Sequence, residues 1–516
     1  MTRADAVVIG AGHNGLVAAN LLADAGWDVV VLETAEGPGG AVRSAEVTAP
    51  GYLSDLCSAF FPLAAASPVL AGLDLEAYGL RWRHAPASLA HLLPDGRAVV
   101  LHRDPGGTAE SVERFGPGDG LRWLTAYAEW RRVAEPLIDA LFTGFPPLTA
   151  GARLFRRTGP ALLLRLARRA VVSARDLGTE MFAGEGGRLL LTGCALHTDL
   201  PPETAGSGVY GWLLAMAGQQ HGFPVPTGGA QRLTNALADR LVAHGGRIAY
   251  RTRVDRVVVR RGRALGVRTV DGTAWRARRA VLADVPAPIL YRDLVGAPHL
   301  PAQLWQDLEN FRYDKPTLKV DWALSGPVPW LSDEVAGAGT VHLGGDLAGL
   351  TRYAADLAVG ELPSDPFVLI GQMTTADPSR SPAGTESLWG YTHLPAWYAE
   401  LGRHDDRVTT QVDRIEQVIE DHAPGFRALI RGRYVQGPAD LAYENPGLPG
   451  GAVGGGTSAM SQQLVFRPVP GLGRADTPVD RLYLAGSSAH PGGGVHGMCG
   501  RNAARQVLRD RRLRRA

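Results

Sequence analysis

One stretch constrains the fold more than any other: Val7-Val8-Ile9-Gly10-Ala11-Gly12-His13-Asn14-Gly15-Leu16-Val17-Ala18-Ala19. A β-branched run leads into Gly-x-Gly-x-x-Gly, and an Ala-rich helical pattern follows. A second β-branched run, Val29-Val30-Val31-Leu32, ends on Glu33. This is a strand–turn–helix–strand unit with an acid close to the spacing a dinucleotide site needs. Gly10 permits the tight turn. Gly12 lets the backbone approach a pyrophosphate, and Gly15 lets the helix pack against the strand. The helix N-terminus offers free N–H groups and partial positive charge to phosphates. Glu33 is placed to accept hydrogen bonds from ribose hydroxyls.

At 516 residues the chain is long enough for two or three lobes. Apolar content of 45% and charged content of 20% are globular values, which excludes a disordered protein. A net charge of +2 gives no argument for nucleic-acid binding. Cys57, Cys194 and Cys499 form no metal-type spacing and read as reduced thiols of a cytoplasmic protein. The chain enters its first strand at once, which leaves no room for a signal peptide. No apolar run approaches the length of a membrane span.

Glu36-Gly37-Pro38-Gly39-Gly40-Ala41-Val42-Arg43 is a glycine loop just after the acid. Residues 89–93 and 98–101 read as a hairpin about Pro94-Asp95-Gly96-Arg97. Residues 108–200 read as mostly helical. Within them, residues 161–174 form a basic amphipathic segment with Arg165, Arg168 and Arg169, preceded by Arg153, Arg156 and Arg157. It reads either as a membrane-surface patch or as a cap helix with a solvated Arg face. Pro226-Thr227-Gly228-Gly229 precedes a helix that Gly245-Gly246 ends, and a β-meander with short apolar strands runs to residue 283. Residues 315–324 and 367–373 read as strands and 411–422 as a helix. The glycine-rich 450–456 loop reads as functional or mobile. Near the C-terminus a strand enters a second glycine loop, Gly486-Ser487-Ser488-Ala489-His490-Pro491-Gly492-Gly493-Gly494-Val495-His496-Gly497, and a helix follows. The final basic run, residues 509–515, reads as a solvated tail.

These three stations resemble the phytoene desaturase-like branch of the FAD-dependent amine oxidase superfamily, which includes carotenoid desaturases, carotene ketolases and retinol saturases. The resemblance covers nearly the whole chain and is specific for branch, not substrate. It implies an α/β fold: a Rossmann-type FAD-binding domain built from separated segments (1–75, 220–290 and 470–516), a mixed-sheet substrate domain (76–107 and 291–469) and a helical cap (108–219). It implies FAD as cofactor. Gly10, Gly12 and Gly15 would then meet the pyrophosphate and Glu33 the adenosine ribose. Gly39 and Gly40 would line the ribityl and flavin side, and the Val254 backbone would hold the adenine. Gly486 and Ser487 would lie at the pyrophosphate–ribityl end, with Gly494 and Val495 near the isoalloxazine. Many relatives carry Arg directly after the second glycine of the Gly-Gly pair, where this chain has Ala41. Relatives often carry an acid where it has Ser487.

The resemblance implies an FAD-dependent oxidoreductase that desaturates or oxidises a lipophilic small molecule, polyene, isoprenoid or polyketide-like, by hydride transfer to flavin. The alternatives are a flavin amine oxidase acting on a polar amine, for which an aromatic cage is expected among Trp389, Tyr391, Trp397 and Tyr398, and a non-catalytic flavoprotein. No metal site and no nucleic-acid partner are expected. The expected location is the cytoplasm, with peripheral membrane association as an alternative; the sequence leaves the oligomeric state open. Among His13, His490 and His496, His496 is the candidate catalytic residue because it follows the flavin-side glycine loop. The competing reading for each is a histidine that only orients the loop.

Overall fold

The computed structural model describes residues 2–513, with the side chains of 511–513 excepted. Of the basic run 509–515, residues 509–513 end the last helix and do not form a tail, and residues 514 and 515 lie outside the described residues. Two seven-stranded sheets organise the chain.

In the first sheet, five parallel strands stand in the order Arg247–Ala249, Val29–Leu32, Thr2–Ile9, Ala274–Ala283, Leu482–Leu484. Val7 and Val8 point to opposite faces and both are buried, as a strand covered on both sides requires. The antiparallel hairpin Val254–Arg260 and Arg263–Thr269 extends this sheet along the first residues of Ala274–Ala283. The sequence predicts residues 280–283 as a separate short strand. They are instead the end of a ten-residue one that serves both the hairpin and the parallel core.

Register decides where the site lies. Ile9 pairs with Leu32 and with Ala283, and Ala283 pairs with Leu484. Four strands thus end level, and Gly10, Glu33, Asp284 and Ala485 leave the sheet along one edge. Ligands of open parallel sheets bind at this carboxyl edge. Helix His13–Asp24 packs against Gln231–Ala243 and Met498–Leu513. A Cβ on Gly500 would strike the Asn14 carbonyl, so glycine there sets how closely the first and last helices cross.

The second sheet is mixed, in the order Ile430–Gln436, Thr317–Leu324, Glu386–His393, Val368–Gln372, Ala338–Leu343, Ala87–Leu92, Ala98–Leu101. All neighbours are antiparallel except Ala338–Leu343 with Ala87–Leu92. One face packs on helix Asp406–His422 around Trp322 and Phe426. The other carries Leu89, Leu369 and Trp389 towards a helical layer formed by Asp119–Phe142, Leu148–Arg169, Glu185–Ala195 and Ser207–His221. Leu148–Arg169 breaks at Gly159, whose φ of 70° precedes Pro160. The fold is α/β, as the sequence predicts.

Candidate active site

A single cavity of about 870 Å³ runs from the carboxyl edge of the first sheet to the face of the second. Its first half is built from the glycine loops. Gly39 N–H donates to Ala11 O at 2.9 Å, which ties the second loop to the first. Glu33 accepts Ala11 N–H at 2.7 Å through one oxygen and Ala35 N–H at 2.8 Å through the other. The carboxylate is thereby fixed at the cavity wall with lone pairs left for ribose hydroxyls. Gly10, Gly12, Gly40, Val254, Ser487, Gly494 and Val495 also line the cavity. Gly15 stands behind the turn: a Cβ there would strike the Gly10 carbonyl, so its role is packing. Gly39 and Gly486 likewise shape the loops from behind the lining residues. Arg43 donates to the Gly40 and Glu444 carbonyls, each at 3.1 Å, and so braces the loop.

Asp284 is a cradle residue that motif reading missed. One of its carboxylate oxygens accepts Gly15 N–H at 2.7 Å, and a Cβ on Gly12 would sit 2.7 Å from that same oxygen. The other lies 3.0 Å from where a Gly486 Cβ would stand. Asp284 therefore sits between the two phosphate-side glycine loops. Burial lifts its pKa to about 7 despite the Gly15 bond, and the nearby Glu33 charge pushes the same way. Its position at the carboxyl end of a parallel strand was the available signal.

The three histidines divide. His13 lines the cavity, and burial lowers it to about 4. Its Nε2 is buried without a partner. His490 Nε2 bonds the Thr143 carbonyl at 3.0 Å, away from the cavity. His496 lines the cavity, but its Nδ1 accepts Met498 N–H at 3.0 Å, the first amide of the last helix, and its ring packs 4.9 Å from Phe142. Burial lowers His496 to about 3. It stands as a neutral helix cap, and its Nδ1 is not free for proton transfer.

The second half of the cavity lies over the second sheet. Cross-strand register places Lys319, Tyr391, Leu369, His342 and His91 in one row on the cavity-side face. Lys319 is buried and ion-paired to the buried Asp321, two residues on along the same face. Burial pushes Asp321 up, and the Lys319 ammonium opposes this. Lys315 donates to the Asp199 carbonyl at 3.0 Å, and burial lowers it. Lys315 and Lys319 are the chain's two lysines among 53 basic residues, a signal that was present in the sequence. Trp389 and Tyr391 line the cavity but stack on each other, with ring centroids 5.7 Å apart and planes 7° apart. Trp397 and Tyr398 pack together elsewhere, 4.2 Å apart. Neither pair encloses space for an amine.

The 450–456 loop is held in place. Asp314 accepts Val453 and Gly454 N–H at 2.7 and 2.8 Å. Arg467, fully buried, donates to the Gly454, Thr457 and Ser487 carbonyls at 3.1, 3.0 and 2.7 Å, stapling this loop to the second glycine loop. The loop's glycines serve close approach: a Cβ on Gly455 would stand 2.7 Å from Ser487 Cβ.

The profile of the family described as flavin containing amine oxidoreductase matches residues 15–508. The chain belongs to that family. It lies in the phytoene desaturase-like branch. It is 29% identical to pyridine nucleotide-disulfide oxidoreductase domain-containing protein 2 of Rattus norvegicus, over 98% of this chain and 93% of that protein. It is 26% identical to a neurosporene-forming phytoene desaturase of Rhodobacter capsulatus, over 96% and 92%. The fold matches the crystal structure of an oxidoreductase from Methanosarcina mazei with a TM-score of 0.63 at 16% identity, covering 98% of this chain and 100% of that one. The protein is an FAD-dependent oxidoreductase of the flavin amine oxidoreductase family. Its residues fit the cofactor: Gly12 clears a path to the helix N-terminus, and the unpartnered His13 Nε2 and Asn14 amide stand in that first turn. Among the described residues no cluster of ligating side chains suits a metal, and no helix is long and apolar enough to cross a membrane.

Proposed function

We propose that this flavoenzyme dehydrogenates a lipophilic small molecule of isoprenoid or polyene type. The observation that carries this reading is the wall facing the second sheet. Trp130, Ile138, Leu141, Leu213 and Leu214 from the helical layer, with Phe223 just after its last helix, make that side apolar. FAD, when bound, supplies the hydride-accepting ring. This chain's residues position the substrate and exclude water. The similarity to the Rhodobacter capsulatus phytoene desaturase supports the same substrate type.

A polar amine fits less well. The stacked Trp389 and Tyr391 leave no slot between them. Lys319, at the cavity wall, opposes a cation. Asp199 and Asp314 are already engaged by hydroxyl or backbone N–H donors.

We also propose weak membrane association through the cap. Leu148, Phe155, Leu164 and Val171 are exposed on and just after helix Leu148–Arg169. The basic face read from sequence is mostly neutralised: Arg168 pairs with Glu180, Arg169 with Glu129, and Arg153 with Asp139. Apolar contact therefore carries the association, and Arg165 adds charge.

Anaerobic mixing with a panel of isoprenoids and amines, read by flavin bleaching and product mass, tests the function. Bleaching by isoprenoids with loss of two hydrogens is expected. Bleaching by amines alone would overturn the substrate reading, and bleaching by neither would favour a non-catalytic flavoprotein.

A further inference from the structure

The cavity is not uniformly apolar. Thr317 and His393 are directly opposed across the antiparallel pair of Thr317–Leu324 with Glu386–His393. Directly opposed side chains share one face and lie about 5 Å apart at Cβ. Both are buried and both line the cavity. Thr317 Oγ1 and both ring nitrogens of His393 have no hydrogen-bond partner. The backbone of Lys315 and Pro316 approaches His393 without meeting hydrogen-bond geometry. Buried polar groups are rarely left unpaired, so an unpaired pair aimed into a ligand cavity marks a place where a ligand atom bonds.

A third group joins them. His197 also lines the cavity, near enough to His393 that a charge there would lower it further. Its Nε2 is 2.8 Å from His342 Nε2. His342 Nδ1 is buried without a partner. Leaving an acceptor bare there is less costly than leaving an N–H bare, so His342 donates from Nε2. His197 then carries its proton on Nδ1.

We propose that Thr317, His393 and His197 form a recognition site for a neutral oxygen function, so that the substrate is an oxygenated lipophile, an alcohol or ketone, and not a pure hydrocarbon. This deepens the lipophilic reading above and rests on it. The chemistry matches. Burial lowers His393 to about 4 and His197 to about 3, so both are neutral at physiological pH. A neutral imidazole offers one donor and one acceptor, and a threonine hydroxyl offers both. Together they satisfy an alcohol or a carbonyl, and they bring no full charge to balance an ammonium or a carboxylate. The apolar helical wall opposite takes the carbon skeleton. A hydrocarbon would leave Thr317 and His393 unpaired, and a site built to hydrogen-bond oxygen discriminates strongly against the analogue lacking it.

Three matched pairs test this on the FAD-loaded protein: geraniol with 2,6-dimethylocta-2,6-diene, farnesol with 2,6,10-trimethyldodeca-2,6,10-triene, and geranylgeraniol with its deoxy hydrocarbon. Dissociation constants are read from the change in flavin absorbance under anaerobic conditions. We expect one alcohol or more to bind at least about tenfold more tightly than its hydrocarbon. Thr317→Val and His393→Phe should each erase most of that preference by weakening alcohol binding, with hydrocarbon binding and FAD content unchanged. Equal binding of alcohol and hydrocarbon by the wild type would overturn the inference and leave the lipophilic reading standing. A preference that survives both variants would overturn the assignment to these residues. Binding of neither member of any pair would overturn the lipophilic reading itself, and this inference with it. Should a variant lose FAD, the wild-type comparison decides alone.

Discussion

Asp284 holds the Gly15 backbone N–H at 2.7 Å and thereby closes the back of the phosphate cradle with a carboxyl group. A dinucleotide motif normally offers bare amides at this point. Here an acid lifted to about 7 stands among them.

FAD affinity should therefore depend on pH. Below about pH 7 Asp284 is neutral and tolerates a pyrophosphate. Above it, the carboxylate repels the phosphates, and the dissociation constant should rise by up to about tenfold per pH unit. The sign for folding is the same: stability present at low pH is lost as pH rises through the folded pKa. Fluorescence titration of the apoprotein with FAD from pH 6 to 9 reads the effect. Asp284→Asn should flatten the profile, and parallel profiles for the two proteins would count against this role.

Gly12→Val should abolish FAD binding while leaving a folded protein. The new side chain enters the phosphate path and meets Asp284, 2.7 Å from its Cβ. The flavin-to-protein ratio after gel filtration is the measurement, and an unchanged ratio would show the cradle to be elsewhere.

FAD should be held without a covalent bond. Cys499 Sγ donates to the Ala489 and Gly492 carbonyls at 3.5 and 3.4 Å, and burial pushes its thiol up to about 12. It is therefore not a thiolate nucleophile at neutral pH. Acid precipitation should leave the yellow chromophore in the supernatant; colour in the pellet would contradict this.

Lys319→Met should destabilise the protein by about 3 kcal/mol, because it strands the buried Asp321 carboxylate. Adding Asp321→Asn should recover most of that loss. Urea melts of the wild type, both single variants and the double variant give the coupling directly. Additive losses would mean that the pair is not a unit.

Membrane binding should follow the apolar residues of the cap more than its arginines. Leu148, Phe155 and Leu164 changed together to Ser should remove the protein from anionic liposomes in co-sedimentation. Arg165→Gln should only weaken the salt-sensitive part. Arg169 is unsuited to this test, since its guanidinium stacks 4.7 Å from the Trp212 ring and pairs with Glu129. A wild type that stays in solution at low salt would end the membrane reading.

The sequence by itself determined the cofactor half of this protein. Close backbone approach to a dinucleotide leaves local marks: glycines at fixed spacing, β-branched runs before them, and an acid at the next strand end. All of these lie within short stretches that can be read in order. The hairpin about Pro94-Asp95-Gly96-Arg97 was legible for the same reason, since turn chemistry is local. Tertiary structure alone decided the rest. Strand register brought Asp284 level with Gly10 and Glu33, although Asp284 and Gly15 are separated by 269 positions. Cross-strand pairing put Lys319 beside Tyr391 and Thr317 beside His393. Strand alternation put Trp389 and Tyr391 on one face of the same strand, where they stack and leave no cage. The sequence left His496 open between a catalytic and a loop-orienting role, because a helix cap is visible only once the amide it accepts is placed. The arginines of residues 161–174 looked like a basic face because their acidic partners, Glu129 and Glu180, come from neighbouring helices. Long-range pairing leaves no periodic trace in the chain, so such contacts emerge only when the sheets and helices close.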